Sequence, residues 1–243
     1  MATHKEKPAS SFPLRHALLI LMSLVAGCVD AIGYLSLQHV FTANMTGNIV
    51  LLGLAVGQAH FASVLRSLLA LAGFVAGALL AAAIVHRKPQ SGLWPATVTR
   101  ALWVETGWLV LYAFGLHALH RAHVSHPGLW LMADILLAAL AMGMQSTAAR
   151  RIGVANITTT VVTSTLAILL EDLAVKLRLA KSVPVPPHHT VDAAARFIAI
   201  LTYGGGAAIA ALVPAAGRGA LVVCMVFVLA AVCITATRCL HGR

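Results

Sequence analysis

Residues 42–48 read TANMTGN, and whether that stretch opens a membrane crossing or interrupts one decides the fold. A second stretch, TTVVTST at 159–165, repeats its spacing. Each places threonines four apart, with a third hydroxyl or amide two residues beyond: Thr42, Thr46 and Asn48, then Thr159, Thr163 and Thr165. The chain around them is apolar, so two matched concentrations of small hydrogen-bonding side chains about half a length apart need a reason.

Of the 243 residues, 60% are hydrophobic and only 10% charged, with a mean hydropathy of +0.89. A soluble domain carries roughly 25% charged residues to cover its surface. This is the composition of an integral membrane protein, all-α, whose first partner is the lipid bilayer. The net charge of +10 does not indicate a nucleic-acid partner, because Lys and Arg are scattered between apolar segments and form no stripe. The basic, Pro/Ser-containing residues 1–15 read as an uncleaved cytoplasmic tail. Cys28, Cys224, Cys233 and Cys239 lie in or beside apolar runs without metal-ligand spacing and read as small core residues.

Six apolar runs are long enough for a bilayer that takes about 20 helical residues to cross: approximately 16–37, 62–85, 97–118, 128–148, 192–214 and 217–238. Two more, near 41–57 and 156–175, begin with the threonine-rich stretches. Basic residues near span ends stay cytoplasmic. With the N-terminus inside and six crossings, only Arg66, Arg121 and Arg218 of the 17 basic residues fall outside. Eight crossings would instead put Arg87, Lys88, Arg100, Arg150, Arg151 and Arg218 there. The charges favour six helices plus two broken or re-entrant segments, with both termini cytoplasmic.

Three crossings per half is odd, so the second half is inverted relative to the first. The expected organisation is a tail (1–15), a first membrane repeat (16–118), an external loop (119–127), a second repeat (128–238) and a short cytoplasmic C-terminus (239–243). Inverted repeats with interrupted segments meeting near the bilayer midplane are a layout of secondary transporters. Gly73 and Gly77, and the YGGGAA of 203–208, offer matching small faces for close helix approach.

Two blocks carry a family resemblance: GCVDAIGYLSLQHVFTANMTGNIVLLGLAVG at 27–57 and AMGMQSTAARRIGVANITTTVVTSTLAILLEDLA at 141–174, the latter with Ser164 where a glycine is usual. The first resembles the signature of the YoaK-type small bacterial membrane proteins, and the second is similar to that family's other block. The resemblance implies a multi-pass protein of the bacterial inner membrane and no particular activity.

Function must come from polar groups inside the spans. Among 7 acidic residues, Asp30, Glu105 and Asp134 lie well within them. A carboxylate at the bilayer centre costs at least about 2.5–3.5 kcal/mol, so such groups are paired, protonated or wet. Asp134 and Gln145, close to three helical turns apart, share a face. One reading gathers Asp30, Glu105, Asp134 and Gln145 with Thr42, Asn44, Thr46, Asn48, Thr159, Thr163 and Thr165 around a translocation or proton-relay site. Gly47 would then permit close backbone approach. The other reading has the threonines bonding back to their own helices and the acids pairing with interfacial arginines.

His117, His120, His123 and His126 recur every three residues, but no cysteine or carboxylate completes a metal set, so no metal or other cofactor is expected. His188 and His189 sit beside PVPP in a cytoplasmic linker, and Glu171 and Asp172 near Lys176 and Arg178 read as a solvated helix end. Tyr34, Trp94 and Trp130 fit an interfacial belt. There is no GxSxG, HExxH or Walker loop, so the chain is not expected to be an enzyme. The resulting expectation is a secondary transporter or channel for a small solute or ion, with proton coupling through Asp30. The competing one is a non-transporting scaffold or accessory subunit. Homo-oligomerisation is compatible with both.

Overall fold

A 20-residue helix rises about 30 Å, the thickness of a hydrocarbon core, and runs of that length dominate the chain. The computed structural model describes residues 11–85, 94–120, 127–152, 166–167, 170 and 193–240. Its long helices are α1 (Ser11–Ser36), α3 (Phe61–Val85), α4 (Ala96–His120), α5 (Pro127–Arg151), α6 (Ala193–Leu212) and α7 (Arg218–Cys239), with a 3-10 turn at Ala215–Gly217 before the last. Among the described residues, six helices are long and apolar enough to cross a membrane. Among the described residues there is no strand.

A shorter helix, α2 (Met45–Gly57), has 13 residues and rises only about 20 Å, too little for a full crossing. Its origin is the TANMTGN stretch. Asn44 is the N-cap, its Oδ1 accepting the Gly47 N–H at 3.1 Å, which satisfies one of the donors that a helix start leaves unpaired. Residues 37–44, before it, form a non-helical loop. After α2 the chain reverses through residues 58–60, with Ala59 at φ 55° and the His60 N–H donating to Ala55 O, and α3 begins.

One cavity is lined both by Gln38 and His39, just past the end of α1, and by His60 and Ser63, where α3 starts. The end of α1 and the start of α3 therefore lie on the same side of the bundle. The segment between them leaves and returns to one face, as a re-entrant segment does. The second segment, with Thr159, Thr163 and Thr165, lies outside the described residues, as do His123, His126, His188, His189, Glu171 and Asp172.

Helix α1 packs on α6, α3 on α5, and α4 on both α5 and α7. Glycine sets the closeness of the first two contacts. A Cβ on Gly77 would collide with Leu140 O, and one on Gly143 with Phe74 O; Gly73 sits 2.9 Å from Leu136 O by the same measure. On the other pair, a Cβ on Gly27 would collide with Tyr203 O and one on Gly206 with Leu24 O. Backbones meeting at this range give dispersion contact that larger residues cannot reach, which matters where lipid removes the hydrophobic drive for helix association. Outward faces carry the residues expected against lipid, such as Phe61, Leu79, Phe114 and Phe227. Trp94 departs from the interfacial belt: it is 2% exposed and donates from Nε1 to Thr99 Oγ1 at 3.0 Å. A buried indole needs such a partner.

Candidate functional site

Asp30 lies six residues before the end of α1, about 9 Å along the axis, and is 4% exposed. Its Oδ1 accepts the backbone N–H groups of Thr42 at 2.6 Å, Ala43 at 2.7 Å and Asn44 at 3.3 Å. The Thr42 hydroxyl adds a longer contact at 3.4 Å. Oδ2 accepts from the hydroxyl of Tyr203 on α6 at 2.6 Å. Successive N–H groups converging on one oxygen make an anion nest, and the start of α2 adds its positive dipole end beside it. Asp30 therefore fastens the re-entrant loop to α1 and, through Tyr203, to α6. Among the described residues every partner is a donor dipole, and none is a Lys or Arg.

Asn48, fully buried, completes the loop. Its Nδ2 donates to Phe41 O at 2.6 Å and its Oδ1 accepts the Phe41 N–H at 3.0 Å. One amide thus satisfies both polar groups of a non-helical backbone residue packed into the bundle, where an unsatisfied buried group is costly. Gly47 leaves room for the Phe41 ring, which a Cβ would meet at 2.9 Å; that ring stacks on Tyr34 at 4.9 Å. Thr42, Asn44, Gly47 and Asn48 thus gather around Asp30 and its loop. Thr46 is exposed on α2 and stands outside this network.

Glu105 and Asp134 do not join it. They belong to a second polar set built along one stripe of α4, where Glu105, Trp108, Tyr112 and Gly115 recur at helical three- and four-residue steps. Asp134 of α5 packs against Gly115, where a Cβ would overlap its carboxylate, and it is within electrostatic reach of Tyr112. Cys233 of α7 is likewise within reach of Glu105. Glu105, Asp134 and Tyr112 are fully buried. Both carboxylate oxygens of each acid, the Tyr112 hydroxyl and the Trp108 Nε1 lack a hydrogen-bond partner among the described residues. Gln145 shares a face with Asp134 but serves another contact, donating from Nε2 to Met22 O on α1 at 2.7 Å.

A third feature is the cavity at the α2–α3 hairpin, about 220 Å³. It is walled by Val40 and Leu54 and by polar side chains that include Gln58 and Arg66. Asp30 does not line it. The sequence reading did not single out Tyr203, Tyr112 or Arg66 as site residues; the four-residue step from Trp108 to Tyr112 was the available signal for one of them.

Comparison with known proteins places these features in a family. Residues 18–234 match the model described as "Protein of unknown function (DUF1275)". The chain is 46% identical over 198 residues to the UPF0700 transmembrane protein YoaK of Bacillus subtilis (strain 168), an alignment covering 82% of this chain and 83% of that one. No solved structure matches. The chain belongs to this family of multi-pass membrane proteins.

Proposed function

We propose that this member of the DUF1275 family is a proton-coupled secondary transporter for a small solute. It would sit in the bacterial inner membrane with both termini cytoplasmic, and its two three-helix halves would be inverted repeats. The repeat is supported by register. Gly27 and Gly143 are separated in sequence by the same interval as Leu24 and Leu140, and Phe74 and Tyr203 by the same interval as Gly77 and Gly206. The α1–α6 and α3–α5 contacts are then one contact made twice, each time between a helix of one half and a helix of the other.

The single observation that carries transport is the α4 stripe. Two fully buried carboxyls, Glu105 and Asp134, lie within spans with no hydrogen-bond donor on them among the described residues. Such groups are expensive in a membrane and mark ion or proton pathways. Asp30 is a poor proton carrier by contrast, because its oxygens already hold a loop and a neighbouring helix in place. Proton binding and release therefore belong to Glu105 and Asp134, and Asp30 is the anchor of the re-entrant segment.

The test is proton flux into vesicles loaded with a pH-sensitive dye, with the full-length protein reconstituted and a panel of small acids, amines and sugars offered outside. Solute-dependent acidification or alkalinisation is expected, and Glu105→Gln or Asp134→Asn abolishes it while the purified protein elutes unchanged. Silence across the panel, together with a co-purifying partner, would replace transport by an accessory or scaffolding role.

A further inference from the structure

We propose that the cavity at the α2–α3 hairpin is an oxyanion-binding site centred on Arg66, taking a small carboxylate or phosphate group. The inference rests on the transport reading only in assigning that anion as solute; the site itself stands on its own geometry.

Among the described residues, Arg66 is the lone charged side chain lining the cavity, and no Asp or Glu lines it. The guanidinium is held in place: its NH2 group donates to Ser63 Oγ at 2.8 Å, one turn earlier on α3. Its buried Nε has no hydrogen-bond partner among the described residues. A tethered guanidinium with donor capacity unspent is what a planar or tetrahedral oxyanion engages through paired N–H groups. Further polar groups converge from both sides, Gln38 and His39 from the loop, Gln58 and His60 from the turn. At about 220 Å³ the space holds on the order of seven waters at ~30 Å³ each, which suits a small acid and excludes a nucleotide.

The wall is built under strain. Gln38 and His39 are consecutive non-glycine residues at φ 56° and 65°, a conformation that persists where surroundings impose it and that concentrates at ligand clamps. Two hydrogen bonds impose it: the His39 N–H donates to Tyr34 O at 3.1 Å, and three residues later Asp30 takes the Thr42 N–H. The anchor inside the bundle thus fixes one stretch of the cavity's lining, to which Arg66 contributes from α3.

The experiment is thermal unfolding of the full-length protein in detergent with acetate, lactate, succinate or inorganic phosphate at equal ionic strength, chloride serving as control. It is repeated in nanodiscs of phosphatidylglycerol or phosphatidylcholine without added anion. At least one free anion should raise the midpoint saturably, with affinity falling about tenfold or more in Arg66→Gln and partly recovering in Arg66→Lys. Ser63→Ala, which removes the tether without touching the charge, should weaken binding several-fold and keeps the test open if Arg66→Gln does not fold. An Arg66-dependent shift with phosphatidylglycerol alone supports the site and assigns a lipid headgroup as its source. No Arg66-dependent shift from any free anion or from phosphatidylglycerol overturns it. Binding without flux would sink the transport reading alone, and flux without Arg66-dependent binding would sink this site alone.

Discussion

Replacing Asp30 tests the anchor directly. In Asp30→Ala the N–H groups of Thr42 and Ala43 and the Tyr203 hydroxyl, now at 2.6–2.7 Å from carboxylate oxygens, lose their acceptor inside the bundle. Each orphaned buried donor costs about 1–3 kcal/mol. Against this stands the relief of no longer burying a charge, which takes back part of the sum. A net loss of roughly 3 kcal/mol is the expectation, the range found when one member of a buried charged contact is removed. Asp30→Asn keeps an oxygen for the loop and places its amide toward Tyr203, whose oxygen can accept. It forfeits the charge assistance, worth about half of such a bond, so a loss of about 1.5 kcal/mol follows. Tyr203→Phe, removing one bond and leaving Oδ2 short of a donor, should fall near the Asn variant. Reversible unfolding by titrating dodecyl sulfate into mixed micelles measures all three. The reasoning fails if Asp30→Ala lies within about 0.5 kcal/mol of the parent, or if Asn is as damaging as Ala.

Three other outcomes follow from the same coordinates. Gly77→Val and Gly206→Val, whose side chains would collide with Leu140 O and Leu24 O, should each destabilise the fold by several kcal/mol through overpacking; Gly53→Val, with nothing within 4 Å, should be nearly silent in the same titration. Gln145→Leu gives up the bond to Met22 O but also removes an Oε1 that lacks a partner among the described residues, so its change should stay within about 1 kcal/mol. In a cysteine-free background, Gln38→Cys and Gln58→Cys should be labelled by an impermeant thiol reagent from one side of the membrane and Ala96→Cys from the other. Labelling of Gln38→Cys and Gln58→Cys from opposite sides would make α2 a crossing.

The membrane class and the six spans were legible because hydropathy and charge act over whole segments, and the decision at residues 42–48 needed only length and the basic residues. The interruption was legible in the same place because Asn, Gly and Thr offer a backbone alternative partners to its own helix. What local pattern could not give was partnership. Asp30, Glu105 and Asp134 look alike in sequence, each a lone acid in an apolar run, yet one accepts from three backbone N–H groups and a tyrosine and the other two from none of the described residues. That difference is made by residues far away in the chain: Tyr203 is 173 positions from Asp30. Arg66 was legible only as a count toward topology, since the turn that folds Gln58 and His60 over it depends on Ala59 taking a left-handed conformation that no residue type there announces.

On the two-fold reading, the halves agree in packing and differ in chemistry, and the difference falls at the anchor. Asp30 stands three residues beyond Gly27; three beyond Gly143 is Ser146. Tyr203, whose backbone meets Gly27, corresponds to Phe74, whose backbone meets Gly143. The α1–α6 contact thus has a carboxylate and a phenol where the α5–α3 contact has a hydroxyl and a phenyl ring. A helix contact needs only small residues and shape, so both contacts keep it. Fastening a bent loop inside the bundle needs an acceptor strong enough for several N–H groups at once, and in the first half Asp30 supplies it. The first threonine-rich segment is thereby a fixed support beside the cavity that Arg66 lines, and on the transport reading any movement that exposes a site alternately to the two sides has to be made against it.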